Sequence, residues 1–422
     1  MILKEYEFLQ CKSEGKEHYV KPETFSAIEK FVLDNEKTAQ YLKLTSKRPY
    51  GKVLQAQNYV GVIQTKDGMT IEILPKISHS DNKESKNILI KMLKTLKDSP
   101  FKHFNMAHLQ SSKMPLLEIF ITMFLEEVAK LVQKGIKCDY ITKEENLKFL
   151  KGKLKVGEQI KQNTIHKERF FVEFQEFLSD RVENRLIKTT LQYLYKKSKL
   201  SSNQQRIREF LFVFDEITPC TDIKNDFLHV KPNRQIKNYE QVLLWCKTFL
   251  LENSYSPYKG NDIAFALLFD MNLLFESYVG HWLKKNCKEW DISLQDKKHH
   301  LAYGVQCQKG KFQLKPDIVM RKEKEIVIAD TKWKVLNEEK THQGVSQGDM
   351  YQLFAYGKKY HCTDLACEKL YLIYPKPMEE GSLEEKGYCF DSAQNLKLHV
   401  VFFDVLHAEL FQLNNSITTP RS

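Results

Sequence analysis

The sequence predicts an α+β protein in three parts: a β-rich N-terminal domain over 1–100, a mostly helical middle region over 101–258, and a C-terminal α/β domain over 259–422. Three observations carry that prediction. Two alternating apolar runs, Tyr59–Gln64 and Met69–Ile77, flank Asp67-Gly68, a dipeptide that favours a tight hairpin turn. The middle region is dominated by helical periodicity. Beyond Asn261 a helix, three strand-like runs, a second helix and two further strands follow one another. A chain of 422 residues is also long enough for two or three domains at roughly 100–200 residues each.

The elements follow in order. After the hairpin, Ser78–Pro100 is rich in Lys, Ser and Asn; its first part is expected to be an exposed loop, and Leu89, Met92, Leu93 and Leu96 form a helical stripe. Pro115 to Lys134 reads as a helix, with proline in its first turn and Gly135 as its C-terminal cap. Thr142–Lys167 is polar and charged, Phe170–Phe177 alternates like a strand, and Ser179-Asp180 opens a helix through Leu194. Ala264–Lys285 reads as one long amphipathic helix. Strands are expected at His300–Cys307, Phe312–Arg321 and Glu325–Lys332, a helix at Gln347–Tyr360, and strands at Lys369–Tyr374 and Leu396–Phe403.

Composition narrows the class. Lys and Arg number 65 against 54 Asp and Glu, a net charge of +11 that favours a polyanionic partner; a solvated Lys-rich surface is the plainer alternative. Hydrophobic residues at 42% exclude wholesale disorder. The start, Met1–Tyr19, is charged throughout and has no apolar core of a signal peptide. The longest apolar stretch, Met114–Leu125, contains Glu118 and falls short of the roughly 20 residues that span a bilayer, so no membrane association is expected. Nine cysteines without a Cys-x-x-Cys pair suit reduced thiols in a cytoplasm.

The strongest chemical feature is Leu314-Lys-Pro-Asp317-Ile-Val-Met320 followed by Ile326-Val-Ile-Ala-Asp330-Thr-Lys332. Residues two apart on a strand share a face, so Asp330 and Lys332 project together while Thr331 points away. If the two strands pair, Asp317 approaches the same spot. Two carboxylates and a lysine there suit Mg²⁺ on a scissile phosphate, with the lysine stabilising charge or helping to deprotonate water. A solvated strand end with a weak ion pair is the structural alternative. Glu276 stands in an apolar stretch where a carboxylate is costly unless paired or ligating, or else lies at the edge of the helix's buried face, as Asp270 does. Gln352 and Tyr356 are four apart on one helical face, placed either to brace the strand site or to hydrogen-bond in the core. His299-His300 and His361-Cys362 lack a second pair at ligand spacing, and no Gly-x-Ser-x-Gly elbow occurs. The Lys-rich run Tyr195–Leu200 reads as a phosphate contact or, more simply, a solvated helix end.

These motifs resemble the PD-(D/E)xK nuclease superfamily and, over most of the length, the McrC family of McrBC-type 5-methylcytosine restriction systems. The resemblance rests on Gly61-Val-Ile with Ile71-Glu-Ile-Leu-Pro-Lys76-Ile; on Lys151-Gly152-Lys153 and Phe177-Leu-Ser-Asp-Arg-Val-Glu-Asn184-Arg185; and on Leu274-Phe-Glu276, Pro316-Asp317, Asp330-Thr-Lys332 and Asp349-x-Tyr-Gln352 with Tyr356. Where the family carries an Arg-Gly-Arg-like element, Lys151-Gly152-Lys153 keeps the charge but loses bidentate geometry.

The resemblance implies a Mg²⁺-dependent DNA endonuclease subunit with a restriction-endonuclease-like C-terminal domain. Asp317, Asp330 and the Thr331 carbonyl would hold the metal, Lys332 would activate water or stabilise the transition state, and Glu276 would ligate through water or orient it. Gln352 and Tyr356 would support the site. It also implies a partner, a McrB-like AAA+ GTPase ring in which the N-terminal part docks and whose hydrolysis it stimulates. Every Gly-Lys pair here (at Gly15, Gly51, Gly152, Gly310 and Gly357) is followed by neither Ser nor Thr, so no P-loop is present. A non-cleaving regulatory subunit and a stand-alone structure-specific nuclease are the rival expectations.

Overall fold

The computed structural model describes residues 1–12, 16–33, 38–76, 82–97, 99–102, 114–230, 237–251, 263–306, 309–337, 339–361, 366–376, 386–391 and 395–410. The start of the expected loop at Ser78, together with Cys307 and Cys362, falls outside them. The described residues form a mixed α+β protein with ten α-helices and several sheets. It divides into two compact units, Met1–His103 with Tyr258–Ser422, and Phe104–Pro257.

The first unit opens with β1 (Ile2–Lys4), β2 (Phe8–Gln10), α1 (Pro22–Leu33), β3 (Leu42–Lys47), β4 (Gly51–Ala56), β5 (Tyr59–Thr65), β6 (Thr70–Leu74) and α2 (Asn82–Leu93). β5 and β6 form the expected antiparallel hairpin. Gly68 takes the left-handed φ of 84° that the turn needs, and the Asp67 carboxylate accepts from the Met69 N–H at 3.2 Å. Three strands, β2-β4-β3, make a small separate sheet. Phe25, Ile28 and Phe31 of α1 bury against Leu54, Ile63, Ile71 and Ile73, the helical and strand periods meeting in one core. Leu89, Met92 and Leu93 are buried on α2.

The second unit comprises α3 (Leu116–Gln133), β7 (Asp139–Leu147), β8 (Lys153–Leu154), α4 (Val156–Asn163), β9 (Phe170–Leu178), α5 (Val182–Tyr195), α6 (Ser201–Val213), α7 (Ile223–His229) and α8 (Glu240–Leu250). Pro115 stands at the N-cap of α3, and Gly135 ends it at φ 88°. β7 pairs with β9 along nine residues although its sequence, DYITKEENL, shows no apolar alternation; a largely solvated ribbon needs none. Glu118, the acid in the longest apolar stretch, is buried and accepts from the Ser198 hydroxyl at 2.7 Å and from the Lys199 and Leu200 N–H groups. The Lys-rich run therefore bends around a buried carboxylate at the start of α6. Asn184 is likewise structural, donating to the Lys137 and Ser179 carbonyls and accepting from Tyr239.

The chain then returns to the first unit with β10 (Ile263–Asp270), α9 (Met271–Asn286), β11 (Asp291–Leu294), β12 (His300–Tyr303), β13 (Gly310–Gln313), β14 (Ile318–Lys322), β15 (Glu325–Thr331), α10 (Gln347–Tyr360), β16 (Ala366–Pro375), β17 (Lys386–Asp391), β18 (Leu396–Asp404) and β19 (Glu409–Leu410). The expected single helix Ala264–Lys285 is corrected: its first third is β10, antiparallel to β5 in the sheet β1-β6-β5-β10. An unbroken apolar run fits helix and buried strand equally, and the open edge of β5 decides for the strand. Asp270 is the N-cap of α9, accepting from the Asn272 N–H at 2.8 Å, and not part of a helix's buried face. A Cβ on Gly61 (φ 143°) would lie 2.1 Å from the Leu267 carbonyl oxygen, so the close approach of β10 requires glycine there.

The expected strand Phe312–Arg321 is two strands. Pro316, which cannot donate to a ladder, separates the exposed β13 from the buried β14. The principal sheet runs β11-β14-β15-β16-β18-β17 with β19 beside β18; β14 and β15 are antiparallel, and β15, β16 and β18 are parallel. Leu353, Tyr356 and Tyr360 of α10 pack on Ile326, Ile328, Leu370 and Leu372, and the helix matches its expected span.

Candidate active site

β14 and β15 register Ile318 against Ala329, which brings the residue before β14, Asp317, alongside the end of β15. Asp317 Oδ2 accepts from both the Thr331 N–H and the Thr331 hydroxyl, each at 2.8 Å. Asp330 is 1% exposed, and its Oδ2 lies 2.7 Å from Lys332 Nζ. That contact is an ion pair approaching off the hydrogen-bond direction, so the buried oxygen has no directed hydrogen bond. Burial and the charge of Asp317 push the Asp330 carboxyl upward against the pull of Lys332. Burial also raises Asp317, against the Thr331 hydrogen bonds and Lys332. Two carboxylates therefore crowd one dry spot at a cost to their ionised forms.

Lys332 extends toward α10. Its Nζ lies 3.6 Å from the Asp349 carboxylate and donates to Gln352 Oε1 at 3.4 Å. Gln352 Nε2 in turn donates to the Tyr356 hydroxyl at 2.8 Å. Burial works against the ammonium, but Asp330, Asp349 and Asp317 outweigh it and raise Lys332 above the usual lysine range. Lys332 is thus a fixed positive charge at neutral pH. Glu276, on α9, accepts from Gln295 Nε2 at 2.9 Å, and burial together with the Asp317 charge pushes it up to about 7.

One spot thus gathers Asp317, Thr331, Asp330 and Lys332, with Gln352 and Tyr356 in line behind the lysine; the expectation that Thr331 points away is corrected, since Asp317 lies beside the strand end where the Thr331 hydroxyl reaches it. Glu276 stands to one side, held by Gln295 and sensing Asp317 and Asp330 through their charge. Asp349, quoted from the sequence within its motif but given no role, and Gln295, not singled out at all, join this group. Helical spacing does flag Asp349, three residues before Gln352; nothing in the sequence marks Gln295. Gln295 takes a left-handed φ of 50°, and its N–H donates to the Asp317 carbonyl at 2.8 Å, so one residue ties both acids. Among the described residues no three His, Cys, Asp or Glu side chains converge as a metal cage. Mg²⁺ asks for less, since one or two carboxylates suffice when water and substrate oxygens complete its shell. The crowded aspartates and the buried Asp330 Oδ2 without a directed hydrogen bond fit such an ion. The histidines set aside from the sequence have other contacts: His299 packs on the Tyr360 ring at 4.3 Å, and His361 Nδ1 accepts from the Cys367 N–H. No helix among the described residues is long and apolar enough to cross a membrane.

The chain has relatives among both curated proteins and solved structures. A curated relative described as "Type IV methyl-directed restriction enzyme EcoKMcrBC", from Escherichia coli (strain K12), is 23% identical over 265 residues, covering 57% of this chain and 71% of the relative. A chain of the refined half-complex from the tetradecameric assembly of Thermococcus gammatolerans McrB AAA+ hexamers with bound McrC superposes with a TM-score of 0.71 at 21% identity, covering 99% of this chain and 98% of that one. A chain of the cryo-EM structure of the Thermococcus gammatolerans McrBC complex gives 0.53 at 22% identity, over 68% and 87% of the two chains. At these identities the solved structures speak for a shared fold. The family model for the McrBC 5-methylcytosine restriction system component matches residues 54–375, a span that contains Glu276, Asp317, Asp330, Lys332, Gln352 and Tyr356. With well over half its length matched, the chain belongs to the family of McrBC 5-methylcytosine restriction system components.

Proposed function

We propose that this chain is the DNA-cleaving subunit of a McrBC-type restriction system, a cytoplasmic Mg²⁺-dependent endonuclease acting on modified DNA together with a McrB-like AAA+ GTPase ring. The observation that carries the proposal is the junction of Asp317 and Asp330 at the paired ends of β14 and β15, with Lys332 at 2.7 Å. A sheet whose central strand β15 presents these groups, packed by α9 and α10, supports a PD-(D/E)xK assignment for residues 259–422. Family membership and the likeness to a chain of McrB–McrC assemblies support the GTPase partner, with residues 1–100 as its docking and stimulating part and 101–258 as the helical middle.

Asp317, Asp330 and the Thr331 carbonyl would hold the magnesium, and Glu276 would complete its shell through water. The ion, when bound, supplies Lewis-acid stabilisation of the scissile phosphate. Lys332, held ammonium by three acids, stabilises negative charge as it builds on the phosphate and does not serve as the base. Glu276, with its carboxyl near neutrality, is the better placed group to orient water and take its proton. Gln352, backed by Tyr356, fixes the lysine head.

The test is cleavage of methylated and unmethylated plasmid with Mg²⁺, GTP and the GTPase partner, comparing the unaltered chain with Asp330→Ala. A loss of about a hundred- to a thousandfold in rate is expected, as for removal of a transition-state-stabilising group. Undiminished cutting by the variant would falsify the assignment. Absence of cutting by both, with GTP hydrolysis still stimulated, establishes a regulatory subunit instead. Cutting without any partner establishes a stand-alone nuclease.

A further inference from the structure

Between Asp296 and Asp317 the sequence carries five lysines (Lys297, Lys298, Lys309, Lys311 and Lys315), two histidines and no acidic residue. In the structure this segment contains a two-stranded antiparallel ribbon, β12 with β13, that joins no other sheet among the described residues. Both strands are largely exposed, and large apolar side chains stand out on them: Tyr303 is 60% and Phe312 76% exposed, with Val305 at the tip 98%. A two-stranded ribbon is marginal by itself, so its base is braced and β12 lies beside α10. Gln313 Nε2 donates to the Lys297 carbonyl at 2.9 Å, and the Leu314 N–H donates to the His299 carbonyl at 2.9 Å. The two legs close at the site: the Gln295 N–H reaches the Asp317 carbonyl at 2.8 Å, and the charge of Lys315 bears on both Glu276 and Asp317.

We propose that the β12–β13 ribbon is a duplex-DNA contact that seats the strand to be cut, its lysines on backbone phosphates flanking the scissile bond and Tyr303 and Phe312 against the groove wall. This rests on the DNA-cleaving function proposed above and adds the element that holds the substrate. Charge complementarity selects the occupant: the segment between Asp296 and Asp317 carries five lysines, Lys309 and Lys311 of them on the ribbon itself, and no carboxylate, so it repels other cationic surfaces and attracts a polyanion. Size agrees, because a two-stranded ribbon is one of the elements a major groove of about 12 Å admits. Exposed aromatic side chains beside the lysines supply apolar contact to base edges in the groove, such as the thymine methyl. The position agrees as well, since the ribbon grows directly from the residues around Asp317 and no part of it is needed to close the buried core.

The proposal is tested by equilibrium binding of a short fluorescent duplex to the full chain without Mg²⁺, with salt varied between roughly 50 and 200 mM. Replacing Lys309→Ala and Lys311→Ala together is expected to weaken binding about tenfold and to flatten the salt dependence by nearly two, about 0.9 for each phosphate no longer neutralised. Tyr303→Ala with Phe312→Ala should weaken binding while the slope is kept. Lys309→Arg with Lys311→Arg keeps both charges and should restore affinity and slope, which separates a missing charge from a collapsed ribbon. Equal affinity and slope for the alanine pair and the unaltered chain overturns the proposal. So does unchanged DNA binding with loss of GTPase stimulation, which makes the ribbon a contact for the protein partner. The outcome is independent of the nuclease test: a chain that never cuts but loses DNA affinity in the lysine pair removes the cleavage reading and leaves the ribbon, whereas a chain that cuts and keeps its salt slope does the reverse.

Discussion

Gln295 shows how much one side chain settles at this site. Its amide fixes Glu276 and its backbone N–H fixes Asp317, so it is a positioning residue that acts through two acids. Replacing Gln295→Ala should lower the cleavage rate about tenfold, the usual scale for removing an outer partner of a ligating group. The hydrogen bond stabilises the ionised Glu276 and holds its carboxyl down, so removing it raises that carboxyl further above about 7. If ionised Glu276 is the working form, the acid limb of the pH–rate profile moves to higher pH, and an unmoved limb in single-turnover cleavage refutes the role. Asp330 and Lys332 are legible in the sequence because strand alternation places residues two apart on one side, and the extended backbone continues to Lys332 just past the end of β15. Asp349 is only half legible, since an acid in the first turn of a helix already serves the helix dipole and needs no further purpose. Gln295 is not legible at all; its part depends on a left-handed turn that no neighbouring residue announces.

Elements carry the next layer of coupling. Glu5, in the turn after β1, is 1% exposed and accepts from the Trp333 indole at 3.0 Å and from the Lys76 N–H at 3.0 Å. Trp333 directly follows Lys332, so the first strand of the chain props the exit of β15. Burial pushes the Glu5 carboxyl up to about 7, against the hydrogen bonds of Lys76 and Trp333. Below pH 4.5 the folded and unfolded chains both hold the proton, and between 4.5 and about 7 only the unfolded chain gives it up. The contribution of Glu5 to folding stability therefore falls as pH rises through that window, by about 3 kcal/mol, and stays low above it. Glu5→Gln, which cannot ionise, should lessen the decline by about that amount, the remainder coming from Glu276, Asp317 and Asp330, whose carboxyls are raised as well; guanidinium unfolding midpoints at the two ends of the window provide the check, and equal declines in both proteins count against it. The elements themselves divide by how far burial patterned them. α10 and the buried strands of the principal sheet can be read from periodicity, because each has one wet and one dry side or none wet. β10 cannot, because an unbroken apolar run holds no period, and β7 cannot, because a ribbon in water imposes none.

At the scale of the molecule, β10 is supplied by the C-terminal segment but belongs to a sheet begun at Met1, and α9 is capped beside Asn58. The residues around Asp317 and Asp330 therefore do not form a detachable module. A fragment of residues 259–422 leaves the β10 ladder open and the Trp333 indole without Glu5, and should be recovered as aggregate. A chain in which a flexible linker replaces 104–257 keeps the whole first unit and should unfold cooperatively; a soluble, cooperatively folded 259–422 fragment would contradict this. The same pairing bears on how the chain is made. Roughly 200 residues separate β5 from its partner β10, so at about 5–20 residues per second a ribosome leaves the β5 edge unmatched for some 10–40 s. During that interval the N-terminal sheet is an open template for a neighbouring nascent chain, which makes expression of this protein sensitive to translation rate and to chaperones that shield unpaired strands.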